Sequence, residues 1–301
     1  MVSVIIPTLN AAGSIGDLLS ALKGQSIINE QIIIDSASTD DTVAIARSWG
    51  AKTISIRRED FDHGATRNRA VIEAVGDVLV FMTQDALPLN RSLIENLVKI
   101  LEVPGVAASY ARQVPRPGAS PPEQFARAFN YPAGSLNKSR ELIPQLGVKT
   151  FFFSNVCSSI RRDVFDSLGG FPERVIMDED LLFSARAILK GYNIAYVAEA
   201  EVFHSHRYTW FQQFKRYFDI GVFFRDYAWL LRYSKVNDEG ARFVKEELRF
   251  LRKTGFYLWV PYVLGELVCR YGGYKMGLNY RLVPRICKQA VSLHRGYWNK
   301  K

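Results

Sequence analysis

The first half of the chain alternates between short β-branched runs and longer amphipathic segments. The apolar runs are Val2–Pro7, Gln31–Asp35, Thr53–Arg57 and Val78–Met82. Helical periodicity separates and follows them near Ser14–Lys23, Thr39–Ser48, Gly64–Val75 and Arg91–Leu101. Nearly continuous apolar strands that alternate with amphipathic helices are typical of βαβ units on a parallel sheet. The pattern therefore predicts an α/β fold with a Rossmann-like, mostly parallel sheet flanked by helices.

The pattern becomes less regular in the second half. Prolines at Pro115–Pro122 predict a surface loop there and exclude a helix. Later strand and helix signals are, in order, a strand at Phe151–Ile160, a helix at Asp180–Lys190 closed by Gly191, and a strand at Ile194–His204. From Tyr208 onward the periodicity is helical, basic and aromatic, which predicts a C-terminal helical extension.

Small polar and acidic residues follow three of the predicted strands. These segments are Pro7–Asn10, Asp35–Thr42 and Thr83–Ala86. Ser, Thr and Asp are frequent at turns and helix N-caps, so each segment alone can be explained as a cap. Ligands of parallel sheets bind beyond the carboxyl ends of the strands. The three segments together therefore favour a binding site at one edge of the sheet.

Five side chains in the first 206 residues are the candidates for acid–base or metal chemistry. Asp85 follows a buried strand and could bind a divalent cation that bridges a diphosphate, or simply belong to a turn. Glu179 and Asp180 begin a helix, where the dipole favours carboxylates; a general base is the alternative interpretation. His204 and His206 end a strand, and strand side chains alternate in direction. We therefore expect that one histidine is a metal or phosphate ligand and that the other is structural.

Composition and charge limit the class of protein and the partners of its C-terminal region. Of 301 residues, 48% are hydrophobic and 23% are charged, which excludes wholesale disorder. The net charge is +9, and residues 200–301 alone carry +11, from 19 Lys and Arg against 8 Asp and Glu. Such a basic, aromatic region suggests nucleic acid, an anionic membrane surface or an anionic substrate as its partner.

Several classes of protein are disfavoured by missing signals. The sequence has no GxGxxG after the first strand, no GxxxxGK[ST] and no GxSxG, which disfavours dinucleotide oxidoreductases, P-loop NTPases and α/β-hydrolases. Three scattered cysteines fit a reducing compartment better than a disulfide framework or a zinc site. We expect no signal peptide, and no stretch reaches the roughly 18–20 apolar residues of a membrane span.

Six motifs, in order, resemble the inverting glycosyltransferases of family 2, which have the GT-A fold. They are VSVIIPTLN at 2–10, IDSASTDDT at 34–42, GATRNRA at 64–70, FMTQDA at 81–86, GGFP at 169–172 and MDEDL at 177–181. The segment FDHGATRN at 61–68, and Gln-Asp-Ala where other branches have Asp-x-Asp, further resemble the rhamnosyltransferase branch. That branch uses dTDP-L-rhamnose as its donor.

The resemblance implies roles for individual residues. Donor binding would fall to Pro7, Thr8, Asn10, Asp35, Ser38, Arg67, Gln84 and Asp85. Asp35 would read the pyrimidine edge, and Arg67 would approach the base or the diphosphate. Asp85 with His204 or His206 would hold Mg²⁺ or Mn²⁺. Asp180, with Glu179 beside it, would be the catalytic base of a single displacement that inverts the anomeric carbon.

Two departures from the family pattern bear on these roles. Ala11-Ala12 stands where the family often has Glu, and Thr83 replaces the first Asp of Asp-x-Asp, which leaves one carboxylate fewer for the metal. The Gln-x-x-Arg-Trp motif of processive synthases is missing, so we expect addition of one or a few sugars.

The resemblance also implies the domain organisation and the partners. A catalytic domain at residues 1–206 would comprise a nucleotide-sugar-binding half (1–105) and an acceptor-binding half (106–206), followed by the helical region 207–301. The acceptor would be a saccharide or a lipid-linked saccharide of cell-surface polysaccharide synthesis. We expect the basic region to hold the enzyme on the cytoplasmic face of the membrane, at an anionic surface.

Other interpretations of the same sequence are open. The C-terminal helices could instead pack on the core or form a homo-oligomer interface. A family-2 enzyme with a UDP-hexose donor is the main alternative within enzymes. An inactive scaffold is another. A nucleic-acid-binding protein is disfavoured, because the basic residues are interleaved with large apolar ones and no RNA-binding motif is present.

Overall fold

The structure is a computed structural model that describes residues 1–25, 27–234 and 236–300. Within these ranges nine strands form one sheet: β1 Val2–Thr8, β2 Glu30–Asp35, β3 Lys52–Ser55, β4 Val78–Met82, β5 Leu87–Pro88, β6 Val106–Val114, β7 Leu136–Lys138, β8 Cys157–Arg161 and β9 Asn193–Phe203. The helices are α1 Ile15–Lys23, α2 Thr42–Ser48, α3 His63–Ile72, α4 Leu93–Lys99, α5 Pro121–Asn130, α6 Ile143–Leu146, α7 Arg162–Ser167, α8 Glu179–Leu189, α9 Trp210–Asp226, α10 Val236–Lys253, α11 Val260–Leu278, α12 Arg285–Val291 and α13 Tyr297–Lys300. Short 3₁₀ turns connect several of them.

The sheet is parallel in its first half and mixed in its second. The strand order is β3-β2-β1-β4-β8-β6-β9-β5, and β7 pairs with β9. Strands β3, β2, β1 and β4 run parallel, as do β6 and β9, whereas β8 is antiparallel to both of its neighbours. The α/β prediction is confirmed, with the parallel arrangement strongest where the βαβ pattern was clearest.

Both faces of the central strands are covered, which explains their nearly continuous apolar sequence. Ile5 of β1 and Phe81 of β4 belong to one apolar cluster, while Val4 and Val80 belong to a second cluster. All four side chains are fully buried. Because neighbouring side chains on a strand point to opposite faces, each cluster occupies one side of the sheet.

Two predicted elements of the middle region differ in the structure. The strand expected at Phe151–Ile160 begins only at Cys157, because a 3₁₀ turn ends at Phe151 and the residues between them line a cavity. A helix was excluded at Pro115–Pro122, but α5 begins at Pro121. Proline is accepted in the first turn of a helix, where its missing N–H would have no helical partner.

Helices α9 and α11 cross at very short distance. A Cβ atom added to Gly273 would lie 2.2 Å from the carbonyl oxygen of Phe214, and one added to Gly277 would lie 2.1 Å from that of Phe218. Only glycine permits this backbone approach. The helical prediction for the C-terminal region is confirmed, while residues 235 and 301 lie outside the described residues. None of the described helices has both the length and the apolar character needed to cross a membrane.

Candidate active site

The loops after β1 and β2 form one hydrogen-bonded unit. Asp35 is only 2% exposed, and its carboxylate accepts from the Thr8 hydroxyl at 3.0 Å and from the Ser38 amide at 2.8 Å. The backbone amide of Asn10 donates to Ser38 Oγ at 2.8 Å. The side-chain oxygen of Asn10 accepts from the backbone amide of Thr39 at 2.9 Å. The structure therefore brings four of the predicted donor-binding residues together.

Gln84 links the loop after β4 to the loop after β1. Its Oε1 accepts from the amide of Leu9 at 2.7 Å, and its Nε2 donates to the carbonyl oxygen of Leu9 at 3.1 Å. Pro7 is half-buried within β1, opposite Ile34 of β2. Gln84 thus holds the two loops in register through a contact with the protein backbone.

A cavity of about 720 Å³ lies where β4 and β9 end. Its walls come from the segment before β8, the start of α8, and helices α5, α9 and α11. Of the predicted site residues, it is lined by Arg67, Glu179, Asp180, His204 and His206. The residues of the first two loops are not in its wall, so the predicted residues divide into a loop cluster and a cavity cluster.

Both predicted histidines approach the same carboxylate. His204 Nε2 and His206 Nε2 each lie 3.4 Å from Asp85 Oδ2. The two side chains do not alternate in direction, because β9 ends at Phe203 and strand geometry does not extend to the histidines. Which of them binds a ligand stays a prediction. Burial opposes the charge on Asp85, but the neighbouring His204 outweighs it and keeps the pKa of Asp85 below its usual range. Burial, with the neighbouring His204, lowers the pKa of His206 to about 4, so its imidazole is neutral near pH 7.

These three side chains fit a divalent metal ion. Their candidate ligand atoms all lie within 4.8 Å of one another. Two imidazole nitrogens and one carboxylate oxygen suit Mn²⁺ and similar ions, and also leave coordination positions for a diphosphate. The arrangement would offer one negative charge and two imidazole donors to such an ion.

The acidic start of α8 contains carboxylates in different environments. Glu179 is buried, and its Oε1 lies 3.1 Å from Arg67 Nη1 and accepts from Asn155 Nδ2 at 3.1 Å. Asp180 Oδ2 accepts a hydrogen bond from the backbone amide of Asn155 at 2.9 Å. Within the described part of the chain, Asp180 has no ion pair. Burial makes the largest contribution, and together with the negative charges of Glu179 and Asp178 it raises the pKa of Asp180 well above its ordinary value. Glu179 is therefore a paired structural charge, and Asp180 is a carboxylate with raised proton affinity.

Arg67 lines the cavity, and its guanidinium already contacts two groups of the protein. Its Nη1 donates to the carbonyl oxygen of His63 at 2.8 Å and pairs with Glu179. The structure places Arg67 beside the acidic start of α8. Its approach to the donor stays a prediction.

Sequence reasoning missed several cavity residues. Asp178 precedes Glu179 in the left-handed conformation, with φ of 61°, and burial raises the pKa of its carboxyl to about 6. Arg127, Arg216 and Tyr262 also line the cavity, from α5, α9 and α11. Asp178 lies inside the quoted MDEDL motif and could have been found there. The other three carry no local signal, because only the packing of the C-terminal helices brings them to the site.

Comparisons with known proteins identify the family of this chain. The sequence profile described as Glycosyl transferase family 2 matches residues 3–169. The chain belongs to glycosyl transferase family 2 and is a glycosyltransferase. It is 42% identical over 302 residues to the O-antigen chain rhamnosyltransferase RfbN of Salmonella typhimurium, covering 99% of this chain and 96% of that one. It is also 42% identical over 301 residues to WbaN of Salmonella anatum, with 99% and 95% covered.

Solved structures with a similar fold include two nucleotide-sugar complexes. The mannosyltransferase PcManGT from Pyrobaculum calidifontis, in complex with GDP-Man and Mn²⁺, has a TM-score of 0.65 at 20% identity, covering 92% of this chain and 86% of that one. S. aureus TarS 1–349 in complex with UDP-GlcNAc has a TM-score of 0.57 at 19% identity, with 97% and 84% covered. The predicted GT-A fold is confirmed.

Proposed function

We propose that this enzyme transfers L-rhamnose from dTDP-β-L-rhamnose, with inversion, to a saccharide or lipid-linked acceptor in O-antigen-like polysaccharide synthesis. Two relatives named as O-antigen chain rhamnosyltransferases, each 42% identical over nearly the whole chain, support the sugar and the pathway. One structural observation carries the chemistry: Asp180 and the histidine pair that faces Asp85 line the same cavity. That cavity can hold an acceptor hydroxyl and a sugar diphosphate together.

The proposed reaction is a single displacement. The acceptor hydroxyl forms a bond to the anomeric carbon while the bond from that carbon to the diphosphate oxygen breaks on the opposite face. Asp180 accepts the hydroxyl proton, and its raised pKa suits that role. A Mg²⁺ or Mn²⁺ ion held by Asp85, His204 and His206 would offset the charge on the departing diphosphate. The loop cluster around Asp35 would hold the nucleoside.

The donor prediction is tested by nucleotide release from a panel of sugar nucleotides. We expect release from dTDP-L-rhamnose with a suitable acceptor, and little from UDP-glucose, UDP-galactose or UDP-N-acetylglucosamine. At about 100 times its dissociation constant, dTDP should add about 2.7 kcal/mol of stability and raise the melting temperature measurably. Transfer from a UDP-hexose alone would contradict the donor assignment and favour the alternative enzyme.

We also propose that the C-terminal helices bind an anionic membrane surface. The aromatics buried in the core, such as Phe218 and Phe223, cannot serve this purpose. Three large apolar residues on one face of α11 are instead exposed: Leu264, Val268 and Tyr271. The preceding turn, Phe256–Leu258, is also exposed, and Leu258 is 94% exposed. Arg252 and Lys253 lie just before that turn and would pair with anionic lipids.

The membrane proposal predicts salt-sensitive binding to anionic vesicles. Co-sedimentation with anionic lipid should be strong at low salt and weak at high salt, and neutral vesicles should bind little. Leu258→Ser should weaken binding, because it removes an exposed apolar side chain from the contact. Ile72→Ser is the matched control, since Ile72 is 81% exposed on α3 of the catalytic region. No binding to anionic vesicles at low salt would leave these helices as packing or assembly surfaces.

A further inference from the structure

A buried glutamine connects the histidine of the proposed metal site to the protein interior. Gln113 lies near the end of β6 and is 3% exposed. Its Oε1 lies 2.8 Å from His204 Nδ1 and accepts a hydrogen bond from Arg127 Nη1. Its Nε2 donates to the Ser154 hydroxyl at 2.9 Å and to the Tyr131 hydroxyl. Both ends of the amide are therefore fully used.

The charged partner fixes which way the amide points. A guanidinium can only donate hydrogen bonds, so the Gln113 atom that faces Arg127 must be the oxygen. The same oxygen faces His204 Nδ1, and an oxygen acceptor requires a proton on that nitrogen. His204 Nε2 is the nitrogen that points at Asp85 Oδ2. With Nδ1 protonated, Nε2 can hold a lone pair for a cation shared with Asp85.

We propose that Gln113 is a positioning residue that locks His204 in the Nδ1–H tautomer and so presents Nε2 to the metal ion. The inference rests on the proposed metal role of Asp85, His204 and His206. Metal-bound histidines commonly donate their second ring N–H to a neighbouring acceptor, which fixes the orientation of the ring and raises its basicity. Arg127 in turn holds the acceptor, so the line Arg127–Gln113–His204 runs from α5 into the site.

The test is direct Mn²⁺ binding, measured by calorimetry or by loss of the free-ion EPR signal. Gln113→Leu keeps a side chain of similar size in the buried site but removes the acceptor, and we expect it to weaken Mn²⁺ binding about 10–100-fold. Gln113→Glu restores an acceptor to His204 and should bind Mn²⁺ within a few-fold of the wild type. Thermal unfolding of each variant reports whether it folds.

A matched control separates positioning from loss of any buried glutamine. Gln25 is also buried, bonded to the carbonyl oxygen of Asn90 and the amide of Ile94, and has no bond to the site. Gln25→Leu should lose stability but keep the wild-type affinity for Mn²⁺. If Gln113→Leu binds Mn²⁺ as tightly as Gln25→Leu does, the positioning role is wrong and the metal site stands.

A spectroscopic readout tests the tautomer itself. The chain has four histidines, so selective ¹⁵N labelling gives a simple long-range proton–nitrogen spectrum. We expect His204, assigned by its loss in His204→Gln, to carry its proton on Nδ1 in the wild type and to lose that preference in Gln113→Leu. A wild-type His204 protonated on Nε2 alone would overturn the inference. Failure of the wild type to bind Mn²⁺ would overturn the metal site and this inference with it.

Discussion

Replacing Asp180 with asparagine is expected to slow sugar transfer about 10²–10⁴-fold, the usual contribution of a general base. Asparagine keeps the shape of the side chain and can still accept a hydrogen bond from the amide of Asn155. It cannot take the proton of an acceptor hydroxyl. The single-turnover rate of transfer should therefore fall, whereas the equilibrium dissociation constant for dTDP should stay unchanged.

The neighbouring carboxylate supplies the matched control. Asp178 lies in the left-handed conformation, which asparagine adopts readily, so Asp178→Asn should fold without added strain. We expect this variant to lose much less activity than Asp180→Asn. The opposite result, with the large loss at Asp178, would move the base by two residues. Equal loss of nucleotide affinity and transfer in Asp180→Asn would indicate a structural role at the start of α8.

The pH profile gives a second readout of the same group. A base works only when it is deprotonated, so transfer should rise with pH through the pKa of Asp180. Burial and the charges of Glu179 and Asp178 raise that pKa. The acid limb, the part of the pH profile where activity falls with falling pH, therefore lies above the range of an ordinary aspartate near 3.9. Activity is therefore lost as pH falls through the raised pKa. In Asp180→Asn the limb assigned to this group should disappear.

Local sequence patterns predicted the strands well where burial is symmetrical. The strand Val78–Met82 has the predicted bounds, and Val2–Pro7 was one residue short. Strand β1 has two parallel neighbours, and β4 has one parallel and one antiparallel neighbour. Both strands are buried on both faces, so a continuous apolar run was the correct signal. The predicted start of β8 was wrong, because the apolar residues before Cys157 line the cavity wall instead of pairing in the sheet.

The chemical groups of the site were predictable, but their pairing was not. Asp85, His204 and His206 carried residue-level signals, yet the approach of both histidines to one carboxylate depends on where β9 ends. The ion pair between Arg67 and Glu179 joins two helices far apart in sequence. Periodicity reports which face of an element is buried, and it contains no information on such long-range contacts.

The contribution of the C-terminal helices to the cavity was also beyond the sequence. The acceptor-binding half was expected at residues 106–206, and α5 of that half does line the cavity. Tyr262 and Arg270 of α11 line it as well. Their position follows from the glycine-mediated crossing of α9 and α11, a packing detail that the basic and aromatic composition did not reveal. The division at residue 206 stays a prediction about domains.

Replacing Asp85 with alanine is expected to reduce turnover about 10³-fold or more and to abolish its dependence on Mn²⁺. Metal stabilisation of a departing diphosphate contributes several kcal/mol, and each 1.36 kcal/mol corresponds to about tenfold in rate. Thr83 stands where the family often has a second carboxylate, so Asp85 is the negatively charged member of the three-residue set. Without it, two neutral imidazoles remain to bind the ion.

A graded pair of variants tests whether charge or merely an oxygen ligand matters. Asp85→Asn keeps an oxygen but removes the charge, so we expect weaker Mn²⁺ binding that high Mn²⁺ concentrations partly restore. In Asp85→Ala that rescue should fail, because no oxygen ligand remains at the position. Glu95→Ala on α4 removes an exposed carboxylate elsewhere and should leave turnover and Mn²⁺ affinity unchanged. Full turnover of Asp85→Ala, or of the wild type in excess chelator, would show that the diphosphate departs without a metal ion at Asp85.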